Sequence, residues 1–237
     1  MKSVYNILIF CLGLFAFTSC EYDNYDEPNA MFQGRIMYNN QPLNVANGQV
    51  NFELWEPGWQ LKAPINVILA QEGTYSANLF NANYKLVFRP NQAPFRMKYN
   101  TATASDTILV NVNGNTNLDI EVEPYYIINN PQIAKNGDKI NATLGLEQII
   151  TGVDAKNIER VSLYLNRTQF VDARPNYNLA SSTIAGGDIA NMGSISLNVD
   201  VPEDKIIRPQ SFVYARIGVK LVGIEPLIYS PVQQLEL

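Results

Sequence analysis

The side chain best placed for covalent chemistry in this chain is Cys20, which closes the run Phe17-Thr18-Ser19-Cys20. Before it lie an apolar stretch at residues 7–17 and an N-terminal region carrying Lys2. A basic start, a short apolar core and small residues before a cut site mark a secretory signal, and the stretch is too short to span a bilayer as a helix. With cysteine at the cut, the thiol takes a diacylglycerol and the new amino terminus is acylated; more than one chain anchors a protein durably where one would be marginal. The expected mature protein begins at Cys20, with residues 1–19 removed, and the membrane holds it through lipid.

Much other chemistry is excluded by composition. The chain has no histidine and two cysteines, of which Cys11 leaves with the signal and Cys20 is lipidated. No thiol then remains for a disulfide, a metal or a nucleophile, Ser-His-Asp and Cys-His machinery is impossible, and zinc and non-haem iron lose their commonest ligand. Carboxylates are plentiful, but glycoside hydrolysis needs two of them roughly 5 to 10 Å apart in a cleft, and no such pair is legible in a β-protein's sequence. Asp188 follows Gly186-Gly187, a glycine turn lacking the ordered oxygen ligands of a calcium loop. The expectation is a non-catalytic protein without cofactor or metal. Removing residues 1–19, which hold Lys2 and no acid, leaves 16 basic against 22 acidic side chains. A net charge of −6 repels phosphates, so nucleic acid is not an expected partner.

Ligand recognition is better served. Trp55 and Trp59 flank Glu56-Pro57-Gly58, and an exposed indole face suits the apolar face of a sugar ring while a neighbouring Glu56 or Gln60 bonds hydroxyls. Large aromatics are more often structural, and either ring can instead cover the end of a core. Tyr177 is a further candidate, with the competing role of pinning its own loop. Tyr125 and Tyr126, between the two halves of the chain, suit wedging domains together. Asp106-Thr107-Ile108 has the form of a bacterial O-glycan acceptor as well as of a strand start, which is the preferred reading. Asn141-Ala142-Thr143 and Asn166-Arg167-Thr168 match the N-glycan pattern, a pathway not expected in a bacterial lipoprotein of this kind.

These residues must be positioned by strands. After Cys20 the chain carries Glu21, Asp23, Asp26 and Glu27, an acidic tether over residues 20–29; acid directly after a lipidated cysteine also resembles the signal that sends Bacteroidetes lipoproteins to the outer face of the outer membrane. From Met31 onward apolar positions recur with period two and no helical stripe is sustained, which predicts an all-β protein. Val50, Phe52 and Leu54 alternate with Gln49, Asn51 and Glu53, and the same grammar returns at Ile65, Val67 and Leu69, at Tyr75, Ala77 and Leu79, and at Tyr84, Leu86 and Phe88. Ile108, Val110 and Val112 are expected to meet Leu118, Ile120 and Val122 in a hairpin across Asn113-Gly114-Asn115, residues that accept positive φ. Glu123-Pro124 is a boundary, giving one sandwich over 30–124 and a second over 125–237.

In the second half, strands are expected around Leu144, Leu163, Leu197 and Ile217, with a last one over residues 228–237. A helical turn capped by Asp154 is expected over residues 154–159. Residues 172–192, rich in Asn, Ser, Ala and Gly, are expected to form a long loop and a candidate contact surface.

The segment E-G-T-Y-S-A-N-L-F-N-A-N-Y-K-L-V-F, residues 72–88, resembles the core motif of transthyretin-like or carboxypeptidase-regulatory-like sandwiches. With D-N-Y-D-E-P-N from Asp23, the strand around Gly34, E-L-W-E-P-G-W from Glu53 and V-E-P-Y from Val122, it resembles a Bacteroidetes lipoprotein family, domain of unknown function 3823. The resemblance implies a transthyretin-like sandwich followed by an immunoglobulin-like one, on a surface lipoprotein encoded beside an outer-membrane importer and its glycan-binding partners. Asn83 stands where the motif tends to have glycine, and asparagine also tolerates a left-handed turn. The expected role is that of a non-catalytic accessory module, binding polysaccharide or presenting an interaction surface beside the importer. The alternative is a structural or adhesive, fimbria-like subunit, for which the apolar terminal strand would serve in strand exchange.

Overall fold

A computed structural model describes residues 26–58, 60–101, 103–206 and 209–237. Residues 1–19, Cys20, the start of the acidic tether and Trp59 lie outside the described residues. Among the described residues, no helix is long and apolar enough to cross a membrane.

The chain is all-β, as the period-two pattern predicts, and forms two tandem sandwich-like domains. The first is built from β1 (Ala30–Tyr38), β2 (Gln41–Pro42), β3 (Asn51–Trp55), β4 (Ile65–Ile68), β5 (Thr74–Leu79), β6 (Ala82–Val87), β7 (Phe95–Met97), β8 (Ile108–Val112), β9 (Thr116–Asn117) and β10 (Ile120–Pro124). One sheet runs β2-β1-β10-β7, with β5 and β9 also paired to β1; the other runs β4-β3-β6-β8. Because successive side chains alternate faces, Val50, Phe52 and Leu54 all point inward and are fully buried. They meet Phe32, Tyr75 and Phe88, whose rings pack on Phe52 at 4.9 to 6.4 Å between centroids.

The second domain comprises β11 (Tyr126–Asn136), β12 (Lys139–Gln148), β13 (Ile158–Asn166), β14 (Ala180–Ala185), β15 (Ile195–Asp200), β16 (Phe212–Leu221), β17 (Ile224–Tyr229) and β18 (Gln233–Glu236). Its sheets run β11-β12-β15 and β14-β13-β16-β17, with β18 on the far half of β16. Ile140, Leu163, Leu165, Ala215, Ile217 and Val219 fill the space between them.

Several local expectations are corrected. The hairpin at Asn113-Gly114-Asn115 does not form. β8 pairs with β6, whereas β10 pairs in parallel with β1 in the opposite sheet. Gly114 has a φ of 63°, and its N–H donates to Asn81 Oδ1 at 2.7 Å. The turn thus carries the chain over the core edge, and its residue chemistry is the same for either path. Asn83 needs no left-handed backbone: it lies within β6, opposite Asn111.

In the second domain, residues 172–192 are not one loop, since they contain the short 3-10 turn Pro175–Tyr177 and all of β14, which pairs with β13 along its length. Small side chains gave that strand too little polarity contrast to reveal it. The turn expected over residues 154–159 forms earlier, at Gly152–Asp154, with Thr151 in the capping position and Ile158 already in β13. The terminal segment is two strands divided by Ser230, Pro231 and Val232, and both pair with β16 of the same chain.

Tyr125 alone separates β10 from β11, and the domains also meet away from this link. Asn44 of the first forms a β-bridge with Tyr229 of the second. Ala46 packs with Tyr164, Val171, Leu227 and Tyr229 in a small apolar cluster, and Arg96 Nη1 donates to Asp154 Oδ2 at 2.8 Å.

Candidate functional site

Trp55 ends β3 on the outer face of the four-stranded sheet, opposite Lys85, which is itself opposite Leu109 on β8. Its Nε1–H donates to Glu53 Oε2 at 3.0 Å, and the other oxygen of Glu53 accepts from Arg89 Nε. Residues two apart on a strand share a face, so Trp55 and Arg89 together cover Glu53, leaving the residue only 5% exposed. The indole is half-buried and its only donor is used within the protein.

Tyr177 lies in the second domain, in the 3-10 turn after Arg174. The Arg174 guanidinium is 4.0 Å from the centroid of its ring, a cation–π contact. Arg174 Nε also donates to both oxygens of Asp172, at 3.0 and 3.1 Å, while Nη2 reaches Asn47 O in the first domain at 3.1 Å. Hydrogen bonding to Asp172 holds the Arg174 pKa above its ordinary value. Tyr177 therefore packs over an arginine that is paired with Asp172 in its own domain and hydrogen-bonded to the first domain. Trp55 and Tyr177 line none of the same surface: one belongs to an open sheet face, the other to the domain joint. Tyr125 and Tyr126 are both buried, and Tyr126 donates its hydroxyl to Lys156 O at 3.0 Å. Asn166 is buried as well, its amide donating to Phe170 O at 2.6 Å to close a turn. Thr107 is half-buried, its carbonyl accepting from Thr103 Oγ1 at 2.9 Å.

A different set of residues forms a cleft of about 500 Å³ between the domains. The first domain contributes the turn joining β1 to β2 and the residues that follow, including Tyr38, Asn39, Gln41 and Asn44. The second contributes Asn129, Asn130 and Pro131 from β11, together with the Tyr229-Ser230-Pro231 corner. Asn39 and Asn40 have φ of 48° and 63°, the two consecutive positive values of a type I′ hairpin turn. Asn130 has a φ of 47° and sits at the register shift between Asn129 and Gln132, where β11 bulges away from β12. Bulges re-aim side chains, and this one forms part of the cleft lip.

Among the described residues, the side-chain amides of Asn39, Gln41, Asn44 and Asn130 have no hydrogen-bond partner in the protein, whereas that of Asn129 donates to Glu147 at 3.0 Å. Each free amide offers both donors and an acceptor, beside the ring of Tyr38 and the apolar edges of Leu43, Ile127 and Ile128. Among the described residues, no carboxylate lines the cleft. A site of this size, mainly apolar with a few convergent polar groups, has the usual make-up of a small-ligand pocket. Sequence reasoning missed it because an asparagine placed for backbone reasons looks the same as one placed for its amide; the Asn-Asn pairs at 39–40 and 129–130 were the available signal.

Two family models match the chain in tandem: one described as the N-terminal domain of a protein of unknown function, DUF3823, over residues 30–123, and one described as domain of unknown function DUF3823_C, over residues 126–234. Among solved structures, a DUF3823 family protein from Parabacteroides merdae is 33% identical with a TM-score of 0.75, the match covering 89% of this chain and 100% of that one. One from Bacteroides ovatus is 32% identical with a TM-score of 0.74, covering 87% and 98%. A protein from Bacteroides uniformis, provisionally described as carbohydrate binding, is 21% identical with a TM-score of 0.69, covering 89% and 100%; at that identity the likeness is one of fold. Among curated proteins nothing matches.

Proposed function

The chain belongs to the DUF3823 family, and from that premise we propose that it is a non-catalytic accessory module that binds glycan in the cleft between its two domains. The observation that carries this reading is the convergence of four unpartnered side-chain amides and the Tyr38 ring in one inter-domain cleft. Amides match sugar hydroxyls in donor and acceptor capacity, and an aromatic face suits the apolar side of a pyranose. The lack of a carboxylate among the described lining residues favours binding over hydrolysis, which needs two acids at the bond. The description given to the Bacteroides uniformis relative is consistent with the same use of the fold.

Cys20 and the acidic run after it extend the reading to location. The module is held by lipid at the outer face of the outer membrane, with the tether supplying reach, beside a polysaccharide importer. Tethering raises effective concentration, so even millimolar affinity suffices to retain a chain for handover.

The test is affinity electrophoresis of the purified protein through a panel of plant, microbial and host polysaccharides. Retardation by at least one glycan, abolished by Gln41→Trp at the exposed cleft rim, is the expected result. Migration unchanged by every glycan would overturn the proposal. Retardation indifferent to Gln41→Trp would move binding out of the cleft.

A further inference from the structure

The cleft lining is uncharged among the described residues: none of the fifteen that line it is Asp, Glu, Lys or Arg, although those four types make up 16% of the chain. The charges beside it are paired with each other behind the first wall: Glu121 accepts from the backbone N–H of Asn39 at 2.8 Å and from Lys98 Nζ at 3.0 Å, and Lys98 Nζ lies 5.9 Å from the centroid of the Tyr38 ring. An acidic sugar entering such a site would lose hydration without gaining an unpaired cation, since Lys98 is already held by Glu121, a cost that neutral hydroxyls do not carry. Two asparagines on the lips, Asn39 from the first domain and Asn130 from the second, hold left-handed backbone. Glycine would meet that conformational need at less cost. What asparagine adds is an exposed amide on each wall, free of partners within the protein.

Building on the glycan-binding reading above, we infer that the cleft selects neutral sugars over uronic or sulfated ones, and that Asn39 and Asn130 are the specificity-determining residues, each bonding hydroxyls from its own domain. Both domains are then needed for one binding event, and neither would hold the sugar alone. Selectivity follows from the side that pays for a mismatch. A carboxylate or sulfate in the cleft finds no unpaired cation, whereas a neutral sugar leaves neither partner's polar groups unmet.

The experiment compares neutral glucans, xylans, mannans and galactans with polygalacturonate, alginate and heparin, using wild type and the Asn39→Gly and Asn130→Gly variants. Glycine accepts both backbone conformations, so the variants should melt with wild type while removing one amide each. The expected result is retardation by a neutral glycan and none by the acidic ones, with each variant weakening binding about fivefold to tenfold, the loss of one or two hydrogen bonds. Equal retardation by acidic glycans, or neutral binding unchanged in both variants with their melting unchanged, would overturn the inference and leave the glycan-binding reading standing. Silence across both sets would overturn both together.

Discussion

The guanidinium of Arg216 lies 4.4 Å from the centroid of the Tyr229 ring, stacked on it at the joint between the domains. Arg216 has no exposed surface. Its Nε donates to Ser230 O at 2.8 Å and Nη1 to Val171 O at 3.4 Å, both in the second domain, while Nη2 crosses to Gln71 O in the first at 3.0 Å. A buried cation without a direct carboxylate partner is costly, and burial pushes its pKa down to about 10 against the opposing influence of Tyr229 and Asp172. Three carbonyls and a π-face share the charge instead. Because Ser230 lines the cleft and Gln71 belongs to the other domain, the same side chain fixes one cleft wall relative to the next.

Arg216→Met should therefore destabilise the protein by about 2–4 kcal/mol, since apolar volume is kept but the buried carbonyls of Ser230 and Val171 lose their donor and the tie to Gln71 O, which keeps the N–H of Val45, is broken. Arg216→Lys should recover little, because an ammonium cannot reproduce the planar fork. Scanning calorimetry of both variants reads the effect. Melting of Arg216→Met within about 0.5 kcal/mol of wild type, the range of an ordinary surface change, would remove Arg216 from the joint.

Gly186 and Gly187 should differ sharply although they are neighbours. A Cβ on Gly186 would lie 1.8 Å from the backbone oxygen of Ile158, whereas one on Gly187 meets nothing within 4 Å. Gly186→Ala must shift β13 or the turn Gly186–Asp188 and should cost about 2 kcal/mol or more, in the range of overpacking; Gly187→Ala should be neutral or slightly stabilising. Denaturant melts of the two variants check this. Equal midpoints would mean that the turn has slack the geometry denies.

The fold was legible where polarity alternates strongly. Val50, Phe52 and Leu54 placed β3, and Ala215, Ile217 and Val219 placed β16, because an inward row of large apolar side chains has few other arrangements. β14 was invisible, as Ala180, Ser181, Ser182 and Thr183 only alternate half-buried and exposed positions, without a hydrophobic signal. Asn113-Gly114-Asn115 revealed a turn but not its destination, since a hairpin and a crossing between sheets ask the same of local φ. Alternation with Phe52 and Leu54 puts Glu53 on the outer face, where it does point; it is buried because Trp55 and Arg89 close over it. The cleft was the least legible part. Its walls come from residues near 40, 130 and 230, and no local pattern records that three such distant segments meet.

Alkaline pH should unfold the protein cooperatively. Burial raises the pKa values of Tyr75, Tyr84, Tyr125, Tyr126 and Tyr229 above the ordinary phenol value. For a group raised on folding, stability is fully present below the unfolded value, about 10 for tyrosine, and is lost as pH rises through the folded values. Arg216 acts oppositely above about pH 10, because its folded value is depressed; five phenols against one guanidinium leave a net loss. With no histidine in the chain, no side chain of the type that ordinarily titrates near neutrality changes this picture between about pH 6 and 8. Tyrosinate absorbance followed beside circular dichroism should rise in two stages, exposed rings first and buried rings with loss of structure. One stage with circular dichroism intact would contradict the burial of these hydroxyls.

Trp55 should owe its orientation to Glu53. Glu53→Ala removes the acceptor of the indole N–H and leaves Arg89 facing the gap, at a cost of about 1–3 kcal/mol for donors left unmet. Glu53→Gln keeps the shape and one acceptor but loses the charge, so it should fall between Glu53→Ala and wild type. In a Trp59→Phe background, fluorescence reports on Trp55 alone; Glu53→Ala should lower its anisotropy and increase quenching by acrylamide, with Glu53→Gln intermediate. Glycan binding in the cleft should survive both changes, because Trp55 sits on the outer face of the four-stranded sheet and takes no part in the cleft lining. Loss of binding on freeing this ring, with melting otherwise close to wild type, would shift the sugar-contacting surface from the domain joint to the sheet that carries Trp55.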